Sequence, residues 1–146
     1  MDPPLTLTVR ADIHEIPRVS GAIEETMRAA GFPDEAILDV QLAAEEAIAN
    51  TIVHGYRGAA GEVTVTIQVA DEMVKVRVED RAPPFDPLSL PEPHRESDLA
   101  ERRIGGLGIY LMRRVVDEVT YQYVEGKNVL TLIKKKQPDR SGKSLT

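Results

Sequence analysis

Residues 62–80 read EVTVTIQVADEMVKVRVED. Val63, Val65, Ile67 and Val69 alternate with polar residues, and after Asp71-Glu72 the alternation resumes with Val74, Val76 and Val78. Successive strand side chains point to opposite faces, so each run presents one apolar and one polar face. Two such runs joined by a short polar turn predict a hairpin whose apolar face must be covered. The same phase places Asp80 on the valine-bearing face. An acid there, at a strand end, needs a partner, because a buried and unpaired carboxylate is costly.

The cover is predicted upstream. Glu15 to Ala30 carries Ile16, Val19, Ile23, Met27 and Ala30 at helical spacing, and Gly31 stops it. A second helix starts at Pro33-Asp34 and reaches about His54, with Gly55 as its C-cap. It is apolar on nearly every side, through Ile37, Leu38, Val40, Leu42, Ala43, Ala44, Ala47, Ile48, Ala49, Ile52 and Val53, which predicts burial. Glu46 and Asn50, spaced i and i+4, leave one face a turn apart, and His54 comes four residues later. A carboxylate and a carboxamide on such a helix would suit a hard cation such as Mg2+, which takes oxygen ligands and keeps waters and phosphate oxygens. Taken alone, the helix fits an ordinary solvated stripe slightly better.

Leu5 to Ala11 alternates and reads as a first strand, with Leu5, Leu7 and Val9 on one face. Arg81 to Ile104 is polar, acidic and broken by Pro83, Pro84, Pro87, Pro91 and Pro93. A connection of that length is a lid, a binding loop or disordered. Gly105-Gly106-Leu107-Gly108 then precedes a helix expected over Ile109 to Val119. Val119 to Val124 and Val129 to Lys134 form a closing hairpin around Glu125-Gly126-Lys127. Helices and strands do not alternate singly, which excludes a doubly wound sheet. The expected class is α+β: a two-layer sandwich with a mixed, mostly antiparallel sheet and helices on one face. Residues 1–136 form one domain by this reading, and 137–146 a disordered polar tail.

Composition narrows the function. The net charge of -6 argues against direct nucleic-acid binding. No apolar run approaches membrane-spanning length, and MDPPLTLTVR lacks the regions of a signal peptide. There is no cysteine, hence no disulfide framework, which fits a cytoplasmic protein. Taken singly, the other signals are weak. The glycines could be a tight turn or a phosphate site at a helix N-terminus. Arg102 and Arg103 could be solvated charges. His14-Glu15-Ile16 before Pro17 is a chance match to a phospho-accepting histidine, since a strand lies just upstream.

Together the groups are specific. Glu46…Asn50 on a helix, Asp80 after a hairpin and Gly105-Gly106-x-Gly108 after a long loop resemble the GHKL nucleotide-binding fold of sensor histidine kinases, gyrase B and MutL. EEAIANTIVHGY, Phe85-Asp86-Pro87 and GGLGIYLMRRVVDEV are most similar to the anti-sigma factor serine kinases of the RsbW and SpoIIAB type, over about Leu5 to Lys134. That resemblance implies ATP and Mg2+ as cofactors, Asn50 as the metal ligand and Glu46 as the base that activates the attacking hydroxyl. It implies Asp80 as acceptor of the adenine amino group. It places Ala82, Pro84, Phe85 and His54 about the nucleotide, and Gly105, Gly106, Leu107 and Gly108 around its phosphates. The loop before the glycines would be the ATP lid, with Arg102 or Arg103 reaching the terminal phosphate.

Two departures stand out. The usual Asp-x-Gly-x-Gly is here Asp80-Arg81-Ala82-Pro83-Pro84, and the usual Gly-Thr pair near the last strand is Lys127-Asn128. The expected function is a serine/threonine kinase that holds a sigma factor, phosphorylates a STAS-type anti-sigma antagonist and forms a homodimer. The alternative is a non-catalytic, nucleotide-gated module that sequesters a partner protein. An ATPase fragment of the MutL kind is disfavoured, because the chain ends with the fold.

Overall fold

The computed structural model describes residues 3–89 and 106–137. Residues 90–105, which include most of the expected lid with Arg102, Arg103 and Gly105, lie outside the described residues, as does the tail from 138. The elements are β1 (Leu5–Arg10), α1 (Ile16–Ala29), α2 (Asp34–Asn50), β2 (Glu62–Ala70), β3 (Met73–Asp80), α3 (Gly106–Val115), β4 (Glu118–Val124) and β5 (Lys127–Lys135).

The five strands form one sheet in the order β1-β2-β3-β5-β4. Every neighbouring pair is antiparallel, so no parallel pairing of the expected mixed kind occurs among them. The alternation sets the register. Val65 faces Val78 and Ile67 faces Val76 across β2 and β3, while Val78 faces Leu130 and Val76 faces Leu132 across β3 and β5. One face is thereby apolar and buried. It packs against Val19, Ile23 and Met27 of α1, against Val40, Ala43, Ala44, Ala47 and Ile48 of α2, and against Met112 of α3. The alanines let α2 lie close to the sheet. On the other face Thr8 and Thr64 hydroxyls meet at 3.1 Å, and Lys75 and Arg77 are exposed.

Local chemistry ends the elements. Gly31 comes after α1 with φ of 87°. Its N–H donates to Arg28 O at 3.0 Å, and the next N–H, of Phe32, donates to Met27 O at 3.0 Å. This is the Schellman pattern, and buried Phe32 completes it.

Three expectations change. α2 is not buried all round: Leu38 is 65% exposed, and Leu42 and Val53 are also open to solvent. The α-helix ends at Asn50, and Thr51–Gly55 forms a π-turn closed by Tyr56 N–H donating to Thr51 O at 2.8 Å. α3 starts at Gly106 rather than Ile109, and ends at Val115. Its last carbonyl is met from outside the helix. Lys134 Nζ donates to Val115 O at 2.7 Å and pairs with Asp39 of α2 at 3.1 Å. Val119 is released into β4, opposite Leu132.

Both hairpins turn on two residues with positive φ: Asp71 (52°) with Glu72 (62°), and Glu125 (53°) with Gly126 (77°). Such turns match the twist of paired strands and favour Asn-Gly. A left-handed glutamate is strained by about 1–2 kcal/mol, and glycine returns part of the gain as chain entropy. The Lys136–Glu72 pair at 3.7 Å, with the Glu72 side chain 75% exposed, contributes little. Replacing Asp71-Glu72 by Asn-Gly should therefore raise the melting temperature by about 2–4 °C. Calorimetry showing a lower value would mean that Glu72 makes a contact worth more than its strain.

Candidate functional site

The site is built where α2, β3 and β5 converge. Glu46 and Asn50 occupy successive turns of α2, as their spacing requires. Glu46 is half-buried, and its carboxyl group is held above the usual carboxylate range, first by desolvation and second by the Glu45 charge. Glu45 faces elsewhere: Ser20 of α1 donates to its Oε2 at 2.8 Å, and Gln41 Nε2 donates to Ser20 O at 3.0 Å. Asn50 is 4% exposed, and among the described residues its buried amide nitrogen has no hydrogen-bond partner. An unmet buried donor costs about 1–3 kcal/mol, which folding has to absorb elsewhere.

The π-turn re-aims the side chains beyond Asn50. A π-turn advances less per residue than an α-turn, and such turns concentrate at functional sites. Here Thr51 Oγ1 reaches Asp80, donating to Oδ2 at 3.1 Å. His54 stacks on the Phe85 ring, with centroids 5.5 Å apart and planes at 24°.

Asp80 ends β3 on the buried face at 7% exposure, as its phase requires. Its Oδ1 accepts from Ala82 N–H at 2.9 Å and from Asn128 Nδ2 at 2.9 Å. The first bond folds residues 80–82 into a tight Asx-type turn. Ala82 is buried, and a Cβ at Gly55 would lie 3.2 Å from that of Ala82. Pro83 and Pro84 are exposed. Tyr56 braces the same turn from the other side, its hydroxyl donating to Glu62 O at 2.8 Å and accepting from Arg81 N–H at 3.0 Å. The crevice over Asp80 is bounded by Asn50, Thr51, Gly55, Phe85, Pro87 and Tyr121 among others, and encloses about 20 Å³. That is room for about one water.

Three comparisons with known proteins bear on this arrangement. Residues 9–134 match the histidine kinase-like ATPase domain. The chain belongs to that family. It is similar to the serine-protein kinase RsbW of Listeria innocua, 36% identical over 124 residues that cover 80% of this chain and 79% of the relative. The RsbW of Bacillus pumilus is 35% identical over 109 residues, covering 68% and 65%. The fold matches a crystal structure of the RsbU and RsbW domains of Rv1364c from Mycobacterium tuberculosis, with a TM-score of 0.65 at 23% identity. That match covers 92% of this chain, which spans about a third, 32%, of the larger one. The serine-protein kinases of the RsbW type are thus the branch of the family to which this chain is tied.

For a histidine kinase-like ATPase, the fold brings several of the residues singled out in the sequence to one place. Asn50, Asp80 and Phe85 line one crevice. Ala82 and His54 support it, and Glu46 sits one turn before Asn50. Pro84 is exposed and is not among the residues that bound the crevice. Gly106, Leu107 and Gly108 lie in the first turn of α3, where backbone N–H groups lack helical partners. His14 is exposed in a 3-10 turn and bonded to Asp12 at 2.8 Å, consistent with a chance match. Sequence reasoning missed Thr51, Tyr56 and the bracing role of Asn128. The departure Lys127-Asn128 was the available signal.

No group of three or more His, Cys, Asp or Glu residues able to hold a metal occurs among the described residues, and no described helix could cross a membrane. Asn50 could offer its side-chain oxygen to a hard cation, with waters and phosphate oxygens completing a donor set of the kind Mg2+ takes. The unmet amide of Asn50 also fits a site completed by a ligand's oxygens. Truncating it removes the unmet donor and adds helix propensity. Asn50→Ala should consequently leave the ligand-free protein as stable as wild type, within about 1 kcal/mol, where a buried side chain cut to alanine ordinarily costs about 2–5 kcal/mol. Denaturant unfolding that shows a loss above about 2 kcal/mol would mean the amide is already satisfied.

Proposed function

We propose that this chain is an ATP-dependent serine/threonine protein kinase acting as an anti-sigma factor. The observation that carries the reading is Glu46: a half-buried carboxylate with a raised proton affinity, one turn from a buried asparagine with an unmet amide. Its substrate is a serine or threonine on a STAS-type antagonist, and its other partners are a sigma factor and a second copy of the chain. The serine-protein kinase relatives support the kinase reading, and the sequence resemblance is the support for the partners.

In the proposed reaction the substrate hydroxyl oxygen bonds to the terminal phosphorus of ATP, the bond to the bridging oxygen breaks, and ADP leaves. Glu46 accepts the hydroxyl proton. A base works best with a proton affinity near the working pH, and desolvation moves Glu46 in that direction. Asp80 Oδ2, with one lone pair committed to Thr51, accepts from the adenine amino group. The first-turn N–H groups of α3, from Gly106 to Gly108, would receive phosphate oxygens. Mg2+, held by Asn50, would neutralise charge on the transferring group. The crevice is far smaller than a purine, so base entry requires its walls, Phe85 and Pro87 among them, to part.

That last feature, with Ala82 and Pro84 in place of glycines, favours the second reading, a nucleotide-gated binding module without transfer. Glu46→Gln separates the two. It preserves shape and every proposed nucleotide contact, but cannot accept a proton. Binding of Mg-ATP should persist while transfer to a STAS partner falls by about 10²–10⁴-fold. If wild type binds ATP and a sigma factor yet labels no partner, the module reading stands.

The Glu45 charge adds a pH test. Glu46 must be ionised to act, so transfer is lost as pH falls through its raised pKa. Glu45→Gln removes the second cause of that elevation, and the acid limb of the rate profile should move to lower pH. An unmoved limb would show that Glu46 is not the group titrating.

A further inference from the structure

Asn128 is 6% exposed and lies directly opposite Asp80 in the β3–β5 register. Its amide orientation is dictated by partners that cannot exchange roles. Phe85 N–H, at 3.1 Å, can only donate, so it meets Oδ1. Asp80 Oδ1 (2.9 Å), Ala82 O (3.0 Å) and Pro83 O (3.3 Å) can only accept, so they meet Nδ2. Tyr121, whose hydroxyl desolvation pushes above the usual phenol range, donates to Oδ1 as well. One side chain thus ties the end of β3, the 82–85 turn and β4 together.

The consequence falls on Asp80. Its Oδ1 has two lone pairs, and Ala82 N–H and Asn128 Nδ2 take both. Its Oδ2 accepts from Thr51 and keeps one lone pair. The carboxylate presents a single acceptor to the crevice and cannot rotate to present another. A terminal carboxylate torsion is otherwise broad and two-fold.

We propose that Asn128 is the specificity-determining residue of the nucleotide site: it fixes Asp80 as a lone acceptor that admits a purine with a 6-amino group and rejects one with a 6-oxo group. The proposal rests on the nucleotide-site reading above. An acceptor facing a 6-oxo oxygen has no hydrogen to share. Without Asn128, Asp80 Oδ1 regains a free lone pair and the 82–85 turn loses its anchor. The carboxylate can then turn, and a water beside it can donate to the 6-oxo group. Discrimination should fall more than affinity for ATP does.

The test is equilibrium titration of Mg-ATP and Mg-ITP, which differ in that one group, into wild type, Asn128→Ala and Tyr121→Phe. Wild type should prefer ATP by about tenfold or more, since a buried polar group left unpaired is costly. Asn128→Ala should reduce that ratio at least about fivefold. Tyr121→Phe removes only the hydroxyl that steadies Oδ1, keeps the fold, and should reduce the ratio by about threefold. A residue that merely stabilised the fold would lower the melting temperature and leave the ratio intact. An unchanged ratio in folded Asn128→Ala, or in Tyr121→Phe should the alanine variant not fold, overturns the proposal. So does a wild type with no preference. Binding of neither nucleotide by wild type would instead overturn the nucleotide-site reading beneath it.

Discussion

A carboxylate on the buried face of a sheet has to be surrounded by donors, and much of this domain's active end is arranged to supply them to Asp80. Each donor comes from a different structural device. Thr51 arrives because the last turn of the α2 segment is π rather than α. Ala82 N–H arrives because the chain reverses at once after β3. Asn128 arrives because β5 pairs with β3 in a register set by Val78 with Leu130 and Val76 with Leu132. A one-residue slip of β5 would replace the amide by Lys127 or Val129 and turn the strand's apolar residues away from the helices. The hydrophobic alternation that builds the core therefore also delivers the amide.

The parts of this arrangement governed by period two were readable in the sequence. The hairpin, its buried face and the location of Asp80 on it come from alternation alone, and the one-turn separation of Glu46 and Asn50 comes from helical spacing. The parts governed by long-range contact were not readable. Nothing local to Asn128 says that β5 pairs with β3 rather than lying at an edge. Nothing in TIVHG distinguishes a π-turn from one more α-turn; the choice is made by Asp80, which needs Thr51. The end of α3 is set by Lys134, nineteen residues beyond Val115. The glycines at 106 and 108 looked like a turn because glycine disfavours helix interiors, yet a first turn tolerates them.

Lys134 does for the helices what Asp80 does for the site. It joins the C-terminus of α3, the middle of α2 and the sheet through one ammonium group that is only 20% exposed. The negative end of a helix dipole and the Asp39 carboxylate both attract its positive charge. The helix that opens with the glycine turn is thereby fixed at its far end to the helix that carries Glu46 and Asn50. The proposed phosphate and metal positions share one frame.

The contact between Gly55 and Ala82 places a limit of another kind. The two backbones approach so closely that there is space for one methyl group between them, and Ala82 already fills it. A methyl at 55 would have to displace a few tenths of an ångström of the turn that holds Asp80. Alanine at position 82 is therefore accommodated most easily with glycine at position 55. Crowding at an apolar contact with no polar atom of its own would thus be felt at the carboxylate, through the backbone that Asp80 itself folds.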